Sequence, residues 1–124
     1  MKKVILPLLL FVLVVMSSCV QCSVSHAGGN FRRVDVAEFK EIIAAPDVQL
    51  VDVRTAEEYN AGHIPGSINI DVLKGHEELA STLDPERPVA LYCRSGRRSK
   101  IAAQALADLG YTNVKEFGGI IDWE

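Results

Sequence analysis

The feature that most constrains the fold of this chain is an alternation of short apolar segments with helical segments after residue 30. Residues 48–53, 89–92 and 114–117 are short runs rich in β-branched and aromatic side chains, a pattern typical of buried strands. Helical patterns separate them, the clearest over residues 99–109. Strands interleaved with helices form parallel sheets covered on both faces. The sequence therefore predicts a small α/β domain that binds ligands at the carboxyl ends of its strands.

Helix-start signals define the other elements. Asp35 with Glu38, and Thr55 with Glu58, have the spacing of capping boxes, so we expect helices to begin directly after Asp35 and Thr55. The first of these helices is expected to end near Ala44. The remaining expectations are strands over 31–34 and 67–70, a second helix that ends near Gly62, a helix over 76–83, and Gly110 as the C-cap of the helix over 99–109.

The first 27 residues have the organisation of a secretory signal. Met1–Lys3 is basic, and residues 4–16 form an apolar run too short to span a bilayer comfortably. Two processing sites compete: ordinary cleavage after Ala27, and a bacterial lipobox-like segment that would make Cys19 the lipidated first residue. An uncleaved anchor is a third reading. We expect an exported, periplasmic protein, either soluble or tethered to the membrane through Cys19, with one domain over residues 28–124.

Charge and cysteine content argue against two kinds of protein, a nucleic-acid binder and a domain with an internal disulfide. The chain has 13 basic and 16 acidic residues, and export would remove Lys2 and Lys3. An acidic domain with a basic cluster at one loop does not have the pattern of a nucleic-acid binder. Cleavage after Ala27 would leave Cys93 as the last of three cysteines. A single thiol cannot form an internal disulfide, so it is either inert through burial or kept for its reactivity.

Residues 93–98, Cys-Arg-Ser-Gly-Arg-Arg, link the strand over 89–92 to the helix over 99–109. Backbone N–H groups at a strand-to-helix turn bind anions, and the same field stabilises a thiolate. The three arginines would also attract an anionic substrate. The alternative is a small buried cysteine that ends a core strand. The convergence of arginines, a glycine and a helix start favours Cys93 as a nucleophile.

Two segments resemble the rhodanese family over nearly the whole expected domain. The first is Asp-Val-Arg over residues 52–54, followed by Glu-Tyr at 58–59 and Gly-His-Ile-Pro-Gly-Ser-Ile-Asn-Ile over 62–70. The second is the cysteine loop, followed by Gly-Gly-Ile at 118–120 and by Trp123. The signal and the loop resemble those of small, single-domain periplasmic thiosulfate sulfurtransferases. The family usually continues into a final helix after this tryptophan, so we expect one flank of the sheet to be less covered.

The resemblance implies a rhodanese fold and transfer of sulfane sulfur through a persulfide on Cys93. The donor would be thiosulfate or another sulfane-sulfur compound. The acceptor would be cyanide, a small thiol or a redoxin-type protein. No cofactor and no metal are expected. The resemblance gives Asp52 and Arg54 a role as structural support.

The resemblance also suggests separate roles within the loop. The backbone N–H groups from Arg94 to Ser99, including that of Ser95, are expected to stabilise negative charge. Arg94 and Arg97 are the better candidates for binding thiosulfate. Arg98 either binds the anion as well or pairs with an acidic residue and braces the loop. Gly96 is expected to allow a turn that a side chain would hinder.

Two other functions, a phosphatase and a non-catalytic binding module, are alternatives to sulfur transfer. A phosphatase with a similar loop has the pattern C-x5-R, but Ser99 stands where that arginine belongs and Tyr92 precedes the cysteine. A non-catalytic module that binds sulfane sulfur or a partner protein is the other alternative. The presence of Cys93 within a basic loop argues against a relative that has lost its activity.

Overall fold

The computed structural model of the chain describes residues 30–123. Five strands and four α-helices alternate along it, with two short 3₁₀ helices at Val72–Lys74 and Ile120–Asp122. The strands are β1 (Phe31–Val34), β2 (Gln49–Asp52), β3 (Ile68–Asn69), β4 (Val89–Tyr92) and β5 (Val114–Phe117). The helices are α1 (Val36–Ile43), α2 (Ala56–Ala61), α3 (Glu77–Thr82) and α4 (Arg97–Asp108).

The strands form one parallel sheet in the order β1-β5-β4-β2-β3. Strand β4 lies at its centre, between β5 and β2. All strands run in the same direction, so their carboxyl ends meet at one edge of the sheet. The predicted α/β architecture is therefore confirmed, and the residue after β4, Cys93, lies at that edge.

The sheet is covered by helices on both faces. The alternation of side chains along β4 shows this directly. Val89 and Leu91 pack in one apolar cluster with residues of α3 and α4, whereas Ala90 and Tyr92 pack in a second cluster with Phe39 of α1. Because β4 is buried on both faces, its sequence is continuously apolar and does not alternate.

The two predicted capping boxes differ in the structure. Thr55 and Glu58 form both halves of the box at the start of α2. At α1 the Asp35 side chain accepts a hydrogen bond from the Glu38 N–H at 2.9 Å, but the Glu38 carboxylate pairs with Arg32 instead of returning to the cap. The helix starts are correct at both sites, although only one complete box forms.

The predicted element bounds change most next to the cysteine loop. Helix α4 begins at Arg97, two residues before the predicted start at Ser99. Gly96 takes the N-cap position with φ 101°, a left-handed conformation that brings the chain into the helix early. The C-cap is Leu109 and not the predicted Gly110, which follows it with φ 94°, the left-handed conformation common one residue past a C-cap. The predicted strand over 67–70 shortens to the two residues of β3.

The processing sites predicted for residues 1–27, including Cys19, lie outside the described residues. Within residues 30–123, no helix has both the length and the apolar character needed to cross a membrane.

Candidate active site

The cysteine loop begins where β4 ends. Cys93 is 1% exposed, and its sulfur lies inside the turn formed by the next residues. The Gly96 N–H donates to Cys93 Sγ at 2.9 Å. On the outer side of the loop, the Ile120 N–H donates to the Cys93 carbonyl at 2.9 Å. These bonds fix the position of the sulfur, which faces the N-terminal end of α4.

The environment of Cys93 favours the thiolate. Burial raises the pKa of the thiol, but hydrogen bonds from Ser99 and from the backbone N–H groups of Ser99, Gly96 and Ser95 more than offset it, so the pKa of Cys93 lies below its ordinary value. The thiol and the Ser99 hydroxyl are 3.4 Å apart. A buried cysteine with a lowered pKa differs from an inert core cysteine, whose pKa burial alone would raise.

The three arginines of the loop have different surroundings. Arg98 makes a bidentate ion pair with Glu58 of α2, at 2.6 and 3.0 Å. This is the arrangement of a residue that braces the loop. Arg94 and Arg97 are exposed, and neither forms an ion pair with any of residues 30–123. Their guanidinium groups are therefore available to an incoming anion.

A groove of about 360 Å³ opens beside the loop. Its polar lining comes from the loop and the first turn of α4, and its apolar lining comes from Ile101 and from Leu73, which is 66% exposed. The groove thus combines two guanidinium groups, Arg97 and Arg98, with exposed aliphatic surface. Its volume is ample for a small inorganic anion.

Asp52 and Arg54 support the adjacent end of β2. Arg54 Nη2 donates to Asp52 Oδ2 at 2.7 Å and to the Gly62 carbonyl at 2.6 Å. The Asn69 side-chain amide of β3 donates to the backbone carbonyls of Asp52 and Arg54 at 3.0 and 2.9 Å. These bonds tie together the turn, the strand end and the neighbouring strand. They account for both residues without a role in chemistry.

Two glycines let the loop pack tightly. A Cβ atom on Gly96 would lie 2.7 Å from Arg33 Nη2 and 2.8 Å from the Gly118 carbonyl oxygen. A Cβ atom on Gly119 would lie 1.9 Å from the Arg94 carbonyl oxygen. Only glycine fits at either position, so the Gly118-Gly119 segment acts as a backbone support for the cysteine loop.

Sequence reasoning missed two residues at the site, Arg33 and Glu116. Glu116 of β5 has no exposed surface, and it forms an ion pair with Arg33 of β1. The Ser99 hydroxyl donates to Glu116 Oε1 at 2.7 Å, and Arg33 Nη2 donates to the Gly96 carbonyl at 2.6 Å. One signal was available: Lys115 and Glu116 are adjacent in a strand, so one of them had to face the interior.

His63, in the segment over residues 62–70, has a local role. His63 Nδ1 lies 2.9 Å from the Tyr59 carbonyl oxygen, and its ring stacks on the Tyr59 ring. Across residues 30–123, no three His, Cys, Asp or Glu side chains come together as a metal site would need.

Comparisons with known proteins agree with this geometry. The rhodanese-like domain model matches residues 35–124. A thiosulfate sulfurtransferase of Escherichia coli, PspE, is 38% identical over 73 residues, which cover 58% of this chain and 70% of the relative. The thiosulfate sulfurtransferase GlpE of Shewanella oneidensis is 33% identical over 98 residues, covering 76% of this chain and 93% of the relative.

Solved structures are similar as well. A human single-domain sulfurtransferase superposes with a TM-score of 0.57 at 30% identity, over 73% of this chain and 92% of that structure. A rhodanese with anions from E. coli gives a TM-score of 0.56 at 39% identity, over 60% of this chain and 89% of that one. With the parallel α/β sheet, the cysteine loop at its carboxyl edge and these matches, the chain belongs to the rhodanese family and is a sulfurtransferase of the general rhodanese type.

Proposed function

We propose that the protein transfers the outer sulfur of thiosulfate to a small acceptor through a persulfide on Cys93. In the first step the Cys93 thiolate attacks the outer sulfur of thiosulfate. A bond forms between the two sulfurs, the bond to the sulfonate sulfur breaks, and sulfite leaves with the electron pair. In the second step an acceptor, cyanide or a thiolate, attacks the outer sulfur of the persulfide. Cys93 then leaves as the thiolate.

One observation carries the proposal: Cys93 Sγ accepts a hydrogen bond from the Gly96 N–H at 2.9 Å, and the pKa of its thiol is lowered although the residue is buried. The thiolate is the nucleophile of the first step and the leaving group of the second. Groups that stabilise it in place therefore assist both steps. Since the thiol pKa is already lowered, no separate general base is required.

The charge around the loop supports an anionic donor. Arg94 and Arg97 are exposed and make no ion pair within the described part of the chain, so each can donate to a sulfonate oxygen. Charge-assisted hydrogen bonds of this kind are stronger than neutral ones. The short loop, with Ser99 six residues after the cysteine, supports a sulfur anion over a phosphate ester as the substrate.

Mass spectrometry tests this proposal. The purified protein is incubated with thiosulfate, and the mass of the peptide that contains Cys93 is compared before and after. We expect the peptide to gain one sulfur atom and to lose it when cyanide is added, with thiocyanate as the product. Cys93→Ser should gain no sulfur and show no turnover, because a hydroxyl cannot form the persulfide. A folded Cys93→Ser protein with undiminished turnover would contradict the mechanism.

We also propose that the protein acts in the periplasm, either free or held to the membrane by a lipid on Cys19. The support is the sequence of the first 27 residues alone: a basic start, a short apolar run and two small-residue processing sites. The acceptor would then be a thiol or an anion found in that compartment.

A further inference from the structure

A charged pair, the buried Glu116 and the exposed Arg33, lies next to Ser99, whose hydroxyl also neighbours the Cys93 sulfur. Glu116, with no exposed surface, accepts hydrogen bonds from Ser99 Oγ at 2.7 Å and from Arg33 Nη2 at 3.1 Å. The register of the sheet pairs Arg33 of β1 directly with Glu116 of β5. Arg33 also donates to the Gly96 carbonyl at 2.6 Å, so the pair is attached to both ends of the turn that holds the sulfur.

Ser99 has one hydroxyl proton and several neighbours that compete for it. The Glu116 carboxylate at 2.7 Å is closer than the Phe117 carbonyl at 3.3 Å or Cys93 Sγ at 3.4 Å. While the Ser99 proton points at Glu116, the lone pairs of Ser99 Oγ face the sulfur and can accept a hydrogen bond from the thiol. They cannot stabilise a thiolate, which needs a donor. When Cys93 ionises, the Ser99 proton must therefore turn from Glu116 to the sulfur, and only then does the hydroxyl contribute to the lowered pKa of Cys93.

We propose that Glu116, held by Arg33, is a positioning residue of the reaction that controls which way the Ser99 hydroxyl points and thereby the ease with which Cys93 becomes and leaves as a thiolate. The role rests on the sulfur transfer proposed above, because it matters only if the Cys93 sulfur gains and loses charge in each cycle. Glu116 itself does not touch the sulfur or the substrate.

Other charges near the sulfur form the background to this effect. Arg33 and Arg98 both interact electrostatically with Cys93, and each is paired with a carboxylate. The charged groups on the surrounding elements include Arg33 of β1, Asp52 and Arg54 at the end of β2, Glu58 of α2, Arg94 of the loop, Arg97, Arg98 and Lys100 of α4, and Glu116 of β5. Among the carboxylates of residues 30–123, only Glu116 accepts a hydrogen bond from the hydroxyl that neighbours the sulfur.

Glu116→Gln is the principal variant. Arg33 donates to the carboxylate, so the Gln oxygen is expected to face Arg33 and the amide nitrogen to face Ser99. That nitrogen would donate to Ser99 Oγ, and the Ser99 proton would be free to point at Cys93. The loss of a nearby negative charge acts in the same direction. We expect the apparent pKa of Cys93 to fall by about one unit.

Glu116→Asp separates the effect of the Ser99 hydroxyl from the effect of the lost negative charge. It keeps the negative charge but shortens the side chain by one methylene, which draws the acceptor away from Ser99. If the hydroxyl carries the effect, the apparent pKa of Cys93 falls here as well, by less than in Glu116→Gln. This variant also serves as the second test if Glu116→Gln fails to fold.

The measurement is the rate of alkylation of Cys93 by iodoacetamide as a function of pH. It is followed on the full chain by mass spectrometry of the peptide, which separates Cys93 from Cys19 and Cys22. Glu38→Gln is the matched control, since Glu38 pairs with the neighbouring Arg32 on the surface and lies outside the site. It should leave the alkylation profile unchanged. The same variants in a Ser99→Ala background show whether the effect passes through Ser99.

The proposal holds if Glu116→Gln and Glu116→Asp both lower the apparent pKa and the shifts fall to less than half in the Ser99→Ala background. It is overturned if Glu116→Asp leaves the profile unchanged, or if the shifts persist at full size without Ser99. Alkylation needs no sulfur donor. A protein that shows the shifts but never gains sulfur from thiosulfate would therefore contradict the proposed function and not the ionisation linkage.

Discussion

At the scale of single residues, Cys93 shows how burial and a lowered thiol pKa coexist. A fully apolar pocket would hold the thiol neutral, yet several donors converge on this sulfur from the turn that follows it. The donors are backbone N–H groups and one hydroxyl. None of them is a charged group that would also be needed to bind an anionic substrate. In the proposed mechanism Arg94 and Arg97 bind the substrate, whereas the turn stabilises the sulfur.

Arg97 offers a residue-scale prediction. If it donates to the anion, Arg97→Ala removes a charge-assisted hydrogen bond worth about 1.5–3 kcal/mol, so kcat/KM for thiosulfate should fall by about tenfold or more. Lys100→Ala is the matched control, because it removes a positive charge one turn further along α4. Steady-state kinetics with thiosulfate and cyanide make the comparison. Equal losses in the two variants would indicate diffuse electrostatics in place of a specific contact.

The residues at the site differ in how far the sequence could predict them. The cysteine, the glycine and the flanking arginines were evident because they are contiguous in one loop. Arg98 had two open roles, since a bidentate partner 40 positions away could not be inferred from the loop. Arg33 and Arg32 are adjacent and chemically identical, and only the pairing of β1 with β5 shows which one reaches Glu116. An ion pair between a buried carboxylate and an exposed arginine of another strand depends on strand order and register.

At the scale of elements, the Gly118-Gly119 segment packs closely against the cysteine loop. A Cβ atom on Gly119 would lie 1.9 Å from the Arg94 carbonyl oxygen, whereas the nearest atom to a Cβ on Gly118 is 3.9 Å away. Gly119→Ala must therefore displace the loop backbone. We expect it to destabilise the domain by about 1–3 kcal/mol, as overpacking does, and to reduce sulfur transfer strongly.

Gly118→Ala is the control for that prediction, because the new methyl group meets only ordinary contact. Thermal unfolding and turnover should stay close to those of the unaltered protein. Near-equal activity of Gly119→Ala and Gly118→Ala would show that the loop does not depend on this support.

The ion pair between α2 and α4 gives a prediction about pH. The side-chain hydrogen bond from Arg98 is the main cause that lowers the pKa of Glu58 from 4.5 to about 2. A carboxyl whose pKa is lower in the folded state stabilises the fold above its unfolded pKa and loses that contribution as the pH falls through its folded pKa. Between pH 4.5 and 2 the unaltered protein should therefore lose this contribution to its free energy of unfolding. Glu58→Gln lacks the contribution at every pH, so it has none to lose.

The size of that effect is about 1–2 kcal/mol, reduced because both side chains are partly exposed. Urea denaturation of the two proteins at pH 7 and at pH 3 measures it. The difference in free energy of unfolding between them should shrink on acidification. A difference that stays constant would mean that the pair does not couple α2 to α4 in solution.

The helix starts show what local sequence can and cannot predict. The Thr55 cap is complete because its partner Glu58 is free to return to the cap and still reach Arg98. The Asp35 cap is incomplete because Arg32 lies near enough to take the Glu38 carboxylate. The early start of α4 depends on the left-handed Gly96, whose conformation is set by Arg33 and Gly118 on other elements. Contacts between elements decided each difference.

At the scale of the whole molecule, the parallel sheet gathers residues that are far apart in the chain. Arg33, Asp52, Cys93 and Glu116 belong to or follow four different strands, and the common direction of the strands brings them to one edge. The periodicity of the sequence was enough to predict that edge as the binding site. The order of the strands was not, and it is this order that makes β4 central and places β5 and β2 on either side of the strand that ends at Cys93.

The last prediction concerns where the whole protein resides. If Cys19 is lipidated, the domain should remain with the membrane after cell lysis, held by the residues between Cys19 and β1. Val20 is not aspartate, which by resemblance to bacterial lipoproteins favours sorting to the outer membrane. If cleavage follows Ala27, the same domain should be released with the soluble periplasmic fraction. Fractionation of cells that express the unaltered chain and Cys19→Ala distinguishes the two.

Membrane association that is lost in Cys19→Ala would support the lipid anchor, because the substitution removes the only thiol in the lipobox-like segment, residues 16–19. Soluble periplasmic protein in both cases would support ordinary cleavage. Cys22→Ala is the matched control, since it removes a neighbouring thiol outside that segment and should not change the fraction. Cytoplasmic protein in every case would contradict export, and the acceptor would then have to be sought among cytoplasmic thiols.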